Sequence, residues 1–267
     1  MTASPRKPWS AFLLSILTTG VGQIYAGYPL RGMLILLTKY VPYVAIGLAG
    51  GLSTLSGFIA ATVITASIHI IALVDAVLLA RKGRTYTLRA FNHGYVYFLA
   101  AMMAIAVLCT LTVYRIPLFG FGHYRISSNA MAPTLSADDQ ILVDTRATSA
   151  HIGDIIIFRP PQYPDTLYSM RVAATGGDRL AIQNGDVLVN GVAQPALTVT
   201  ADQRQLPQSV TFPEQEVPPG QLFVLGDYRD NSNDSRYWGF VPEENVVGTV
   251  TAIFYSADPD KIGTLKK

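Results

Sequence analysis

Three short segments hold most of the residues in this chain that could do chemistry. The first, Ser127-Ser-Asn-Ala-Met-Ala-Pro-Thr-Leu135, carries two adjacent hydroxyls, Ser127 and Ser128, just before Ala130. The second is Tyr168-Ser-Met-Arg-Val-Ala-Ala-Thr-Gly-Gly-Asp178. The third, Gly226-Asp-Tyr-Arg-Asp-Asn-Ser-Asn-Asp-Ser-Arg-Tyr-Trp-Gly-Phe-Val-Pro242, is dense in Asp, Asn, Ser and Arg. A hydroxyl is a poor nucleophile at its own pKa, so a neighbouring group must take its proton. No lysine occurs between Lys82 and Lys261, so the core of this half offers none. His151, in the turn Ser149–Gly153, and His123 read as surface histidines rather than bases. The first segment therefore carries hydroxyls with no evident base to activate them. No metal or cofactor is expected.

The elements that must position these segments divide at about residue 119. Half of the 267 residues are hydrophobic and only 14% are charged. That is too apolar for one ordinary soluble domain. The apolar runs crowd residues 9–118, and residues 119–267 have globular composition and enough length for one core. A net charge of +2 excludes an electrostatic case for nucleic acid. Cys109, the sole cysteine, lies in an apolar run and permits no intramolecular disulfide.

Residues 1–118 read as a membrane domain. Segments 30–52, 55–80 and 94–118 are long enough to span a bilayer. Residues 9–28, interrupted by Gly20, Gly22 and Gln23, read as a retained re-entrant or interfacial segment, although Arg6 and Lys7 imitate a signal-peptide start. Arg81, Lys82, Arg84 and Arg89 place the loop before the last span in the cytoplasm, so residues 119–267 lie outside it. Arg6, Lys7 and Arg31 all favour the inner side, which three spans satisfy; four spans with an outer N-terminus is the alternative. Lys39 and Asp75 fall at similar depths, roughly 9–12 Å at 1.5 Å per residue. A lone charge there costs on the order of 3 kcal/mol. Either they form an ion pair, or each snorkels separately to the interface. His69 reads as a packed helix residue.

The C-terminal half reads as an all-β, largely antiparallel domain. Short β-branched runs, 140–143, 154–158, 167–174, 179–182, 187–189, 222–225 and 246–254, are bounded by turn residues. Asn184-Gly185 and Asn190-Gly191 suit tight hairpin turns.

The three segments in this order resemble bacterial signal peptidase I, a membrane-bound serine protease that removes signal peptides from exported proteins. The resemblance implies N-terminal transmembrane helices followed by an extracytoplasmic β domain over essentially all of residues 119–257, in the bacterial inner membrane and facing the periplasm or exterior. In that family the first motif reads Ser-x-Ser-Met-x-Pro-Thr-Leu, with its second Ser as nucleophile. The second reads Tyr-x-Lys-Arg-Val, with its Lys as general base. Here those positions hold Ala130 and Met170. By the same resemblance, Ser128 and the backbone N–H of Ala130 match an oxyanion hole. Ser232 matches a serine that orients the lysine, and Asp234 with Arg236 matches a supporting ion pair. Asp230 and Arg229 read as part of the same structural network. Tyr237, Trp238 and Phe240 are expected in the core. Separately, Gly20–Gly32 resembles the glycine-rich hairpin modules at the N-terminus of some bacterial membrane proteins.

The resemblance thus implies a signal peptidase homologue, inactive as written, that binds signal peptides or preproteins with small residues at the cleavage site. A second reading is an assembly factor or chaperone for exported or surface proteins, with a partner membrane protein. A third is an active peptidase disabled by substitutions. Departures from the family at Ser169 and Thr175-Gly176 favour natural loss, because a designed change leaves its neighbours alone.

Overall fold

The structure, a computed structural model, describes residues 3–4, 6–82, 86–87, 90–147, 149–263 and 265. Arg84 and Arg89, on which the expected orientation partly rests, lie outside the described residues. The chain divides into two compact units, Met1–Leu52 with Ser56–Phe119, and Ser53–Leu55 with Gly120–Lys267.

The first unit is helical, apart from a two-residue pairing of β1 (Ala3–Ser4) with β2 (Tyr86–Thr87). Proline opens α1 (Pro8–Leu17), where its missing N–H costs nothing. Gly20, at φ +96°, turns the chain into α2 (Val21–Tyr25). The glycines of this hairpin are packing devices. A Cβ on Gly20 would collide with the Gly32 carbonyl, and one on Gly32 with the Gly20 carbonyl. Small residues allow such close backbone approach between apolar helices. Three helices are long and apolar enough to cross a membrane: α3 (Pro29–Leu48), α4 (Leu55–Lys82) and α5 (Gly94–Val113). α5 ends at Val113 and, after the cap residue Tyr114, a short α6 (Arg115–Phe119) follows, so the expected span 94–118 is not one helix.

The expected Lys39–Asp75 ion pair is corrected here. Asp75 is taken by Arg31, whose Nη2 and Nε donate to its two oxygens at 2.6 and 3.0 Å. Gln23, fully buried, adds a bond to the same carboxylate at 3.2 Å. Lys39 instead donates to Thr19 Oγ1 at 3.0 Å and lies 3.4 Å from His69 Nδ1. His69 is therefore engaged with Thr19 and Lys39 rather than merely packed.

The second unit contains two antiparallel sheets. Its strands are β3 (Phe121–Arg125), β4 (Gln140–Asp144), β5 (Ile155–Phe158), β6 (Tyr168–Thr175), β7 (Arg179–Gln183), β8 (Asp186–Val189), β9 (Val192–Ala193), β10 (Phe212–Glu216), β11 (Gln221–Leu225), β12 (Val241–Pro242) and β13 (Val246–Tyr255). Seven form one sheet in the order β12-β11-β6-β5-β13-β4-β3, and four form the other in the order β10-β7-β8-β9. Asn184 and Gly185, at φ +53° and +82°, close the β7–β8 hairpin, and Asn190 and Gly191, at +52° and +79°, close β8–β9. Two consecutive positive φ values define the turn whose twist matches paired strands. Strand alternation separates two cores. Leu222 and Val224 of β11 join Met170, Val172 and Ile156 in one, while Phe223 and Leu225 join Leu180, Val187 and Phe212 in the other. β6 is consequently buried along most of its length. This fixes which residue of the second segment can reach a cleft.

Candidate active-site cleft

The first segment is a loop between β3 and β4 that is tied at its ends and anchored in its middle. Ile126 N–H donates to Asp139 O at 2.9 Å, and Asp138 N–H returns to Ile126 O at 2.8 Å. Met131 and Leu135, 1% and 0% exposed, sink into the first core. These two anchors leave Ser127 and Ser128 exposed and Ala130 half-buried. Tyr228 N–H of the third segment donates to Ala130 O at 3.0 Å. The second segment supplies Met170, opposite Ile156 in the β5–β6 register and buried.

One cleft of about 520 Å³ is lined by all three segments: Ser128 and Ala130, Ser169 and Met170, Asn231 and Asn233. Among the described residues no lysine, histidine or carboxylate lines it. The Ser128 hydroxyl and the Ala130 N–H have no hydrogen-bond partner among the described residues. Ser232, 6% exposed, sits between Asn231 and Asn233 in the chain, and its hydroxyl also has no partner among the described residues.

The other groups that could have served as a base are engaged elsewhere. His123 Nε2 is 3.1 Å from Gln140 Oε1, and its ring meets Phe254. The His151 side chain is 78% exposed and lies 3.4 Å from Asp154. Lys261 was expected outside the core, yet its side chain folds onto the β domain. Its Nζ donates to Ser136 Oγ at 2.7 Å and lies 3.8 Å from Asp139. This Ser–Lys contact does not line the cleft.

The third segment folds around two buried guanidinium groups, one paired with a carboxylate and one with backbone carbonyls. Asp234 accepts from Arg236 Nε and Nη2, each at 2.8 Å, and from Gly226 N–H at 3.1 Å; both side chains of the pair are fully buried. Arg229 donates to Leu197 O at 2.7 Å and to Gly226 O at 3.1 Å. Burial pushes its pKa down to about 10, against the opposing pull of Asp227 and Asp234. Asp230 holds a different loop, accepting from Gln205 N–H at 2.5 Å and Leu206 N–H at 3.1 Å. Partial burial tends to raise its pKa, but hydrogen bonds from Ser209 and these amides outweigh that and lower it. Tyr237 departs from the expectation of a core residue: it is 51% exposed, with Gln208 Nε2 donating to its hydroxyl at 2.6 Å. Trp238 packs against Phe158, and Phe240 against Phe223.

Sequence reasoning missed the bonds that join the three segments. Arg171 Nε and Nη2 donate to the two oxygens of Asp227 at 2.8 and 2.7 Å, and Nη1 donates to Gly153 O. Thr134 Oγ1 donates to Asp227 Oδ2 at 2.6 Å. One residue from each segment thus meets at a single carboxylate. Their membership in the three singled-out segments was the available signal.

The profile of the family described as signal peptidase, peptidase S26, matches residues 97–255, more than half of the chain. A probable signal peptidase I-1 of Synechocystis sp. is 35% identical over 142 residues, 49% of this chain and 70% of its own length. Signal peptidase I of Leptolyngbya laminosa is 34% identical over 142 residues, 49% of this chain and 66% of its own. A solved signal peptidase I from Enterococcus faecalis is 27% identical, covering 39% of this chain and 97% of that one, with a TM-score of 0.33. With the family profile matched across all three segments of the cleft, the chain belongs to the signal peptidase, peptidase S26, family.

Proposed function

We propose that this chain is a proteolytically silent signal peptidase homologue that binds the cleavage region of signal peptides without cutting it. The observation that carries this is the cleft wall itself. It has Ala130 where the family places its nucleophile and Met170 where it places its base, and no lysine, histidine or carboxylate among its described lining residues. Residues of a catalytic unit act together, so loss of both removes nearly all of the rate. Ser128 and the Ala130 N–H still offer two unengaged donors for a peptide carbonyl. Ser232, with its unpartnered hydroxyl, fits a site that has lost a charged neighbour. The ligand is an extended segment with small side chains, supplied by exported preproteins.

The membrane reading follows from helix lengths. α1, with 10 residues, reaches about 15 Å, half of a hydrocarbon core. This supports a re-entrant or interfacial hairpin followed by three spans; the basic residues Arg81 and Lys82 before the last span support a β domain outside the cytoplasm.

The test restores both positions, Ala130→Ser and Met170→Lys, and assays cleavage of a preprotein with an Ala-x-Ala site, alongside photocrosslinking of the same signal peptide to the parent chain. The expected result is crosslinking to the parent, cleavage by the double variant and none by either single variant. A folded double variant that neither cleaves nor crosslinks overturns the proposal and favours an assembly role with a different partner.

A further inference from the structure

The membrane unit holds a second cavity, of about 490 Å³, between α3, α4 and α5. That volume lies within the range of small-ligand sites. Its walls are Ala61, Ala66, Ile70, Leu108 and Leu111, joined by hydrogen-bond donors of which Lys39, His69 and Thr65 matter most. Among the described residues no carboxylate lines it.

Three observations mark this cavity as built for an anion with an apolar tail. First, Lys39 sits near the middle of the 20-residue α3, and its ammonium has no acidic partner among the described residues. An ammonium at such depth is expensive unless something compensates it. Second, its position is fixed, because Thr19 Oγ1 accepts from it and also contacts His69 Nδ1 at 2.5 Å. A lysine escaping to the interface would not be held in this triad. Third, Thr65 Oγ1 is buried and has no partner among the described residues. Thr38, Thr62, Thr110 and Thr112 each donate to a carbonyl one turn back in their own helix. Thr65 does not, and an unmade buried bond of this kind costs free energy.

We infer that this cavity binds a single-chain lipid carboxylate, with the carboxylate between Lys39 and Thr65 and the acyl chain along Ala61, Ala66, Ile70, Leu108 and Leu111. The ligand would supply the acceptor that Thr65 lacks and the counter-charge that the Lys39 ammonium lacks. A carboxylate on one chain also suits the depth, since the phosphate of a diacyl lipid stays at the headgroup level while Lys39 lies near mid-helix.

The test uses the full chain purified in dodecyl maltoside. Binding of radiolabelled oleate is measured with oleyl alcohol, inorganic phosphate and phosphatidylglycerol as competitors. Expected are saturable binding of one oleate per chain, at least tenfold weaker competition by oleyl alcohol, and none by phosphate. Lys39→Met weakens oleate at least tenfold, Lys39→Arg retains most of the affinity, and Thr65→Val weakens it severalfold. Non-saturable uptake, equal affinity for oleyl alcohol, or unchanged affinity in Lys39→Met overturns the assignment. Displacement by phosphatidylglycerol at concentrations matching oleate also overturns it, in favour of a diacyl anion. Should Lys39→Met fail to fold, Thr65→Val decides: unaltered oleate affinity there sinks the site.

Discussion

Arg171 and Asp227 face each other as a fork against a fork, with two hydrogen bonds of 2.7–2.8 Å and side chains only 5% and 8% exposed. Paired, bidentate and closed off from water, they stabilise one arrangement of the strand that carries Met170 and the loop that carries Ser232. Asp227→Ala strands the guanidinium in the interior, a loss of about 3–5 kcal/mol. The expected readout is a fall in Tm of about 10 °C for the full chain in detergent. Thr134→Val removes a single bond to the same carboxylate and costs about 1–2 kcal/mol. A Tm for Asp227→Ala within 2 °C of the parent would contradict the pairing.

The unpartnered Ser232 hydroxyl makes a prediction of opposite sign. Ser232→Ala is expected to leave stability level or raise it by up to about 1 kcal/mol, because no hydrogen bond is lost. In a Met170→Lys background the same substitution becomes costly if the new ammonium bonds that hydroxyl. A double-mutant cycle by chemical denaturation measures the difference, and strict additivity would count against a lysine site beside Ser232.

Gly226 is crowded rather than strained. A Cβ there would meet Ser232 Oγ and Cβ, and the Ala130 carbonyl at 2.6 Å. Gly226→Ala must push the first and third segments apart, at a cost of about 1–3 kcal/mol. Limited proteolysis should then cut earlier in the loop between β3 and β4. Unchanged protection together with an unchanged Tm would show that the loop can give way.

Asp178 sets a pH dependence. Partial burial tends to raise its pKa, but hydrogen bonds from Thr175 N–H, the Asn190 amide and the Thr175 hydroxyl outweigh burial and hold it below the ordinary 3.8. A carboxylate depressed in the folded state binds fewer protons than in the unfolded one. Its stabilisation is therefore complete above the ordinary value and is lost as pH falls through the lower, folded value. Tm measured from pH 6 to pH 2 should fall less steeply in Asp178→Asn than in the parent. Parallel curves would remove Asp178 from the acid limb.

In the membrane unit, the Arg31→Ala and Asp75→Ala cycle is expected to show coupling of about 0.5–2 kcal/mol in a thermal-unfolding assay. The Lys39→Ala and Asp75→Ala cycle should be additive. Coupling in the second cycle and none in the first would restore the pairing inferred from depth.

Which side chains of two apolar helices meet was not legible in the sequence. Counting residues from the inner ends put Lys39 and Asp75 at similar heights, yet Arg31 reaches the carboxylate and Lys39 meets Thr19 and His69. The strands with β-branched runs and Asn-Gly turns could be read because period-two burial and positive φ leave a local imprint. β10, Phe212–Glu216, left none: it is short, charged and proline-containing, and it pairs only at the edge beside β7. The meeting of Thr134, Arg171 and Asp227 joins positions 56 and 93 residues apart, a separation at which local patterning carries no information. Positions 130 and 170 were readable for another reason, since their oddity shows only against the motifs around them.

None of the bonds that knit the cleft uses the side chain of Ala130 or Met170. The frame and the two odd positions are therefore of different kinds: the one is held by charge pairs and backbone hydrogen bonds, while the other contributes only apolar side chains. On the function proposed above, silence would be a property of two side chains, and restoring activity a matter of two codons rather than of rebuilding a fold.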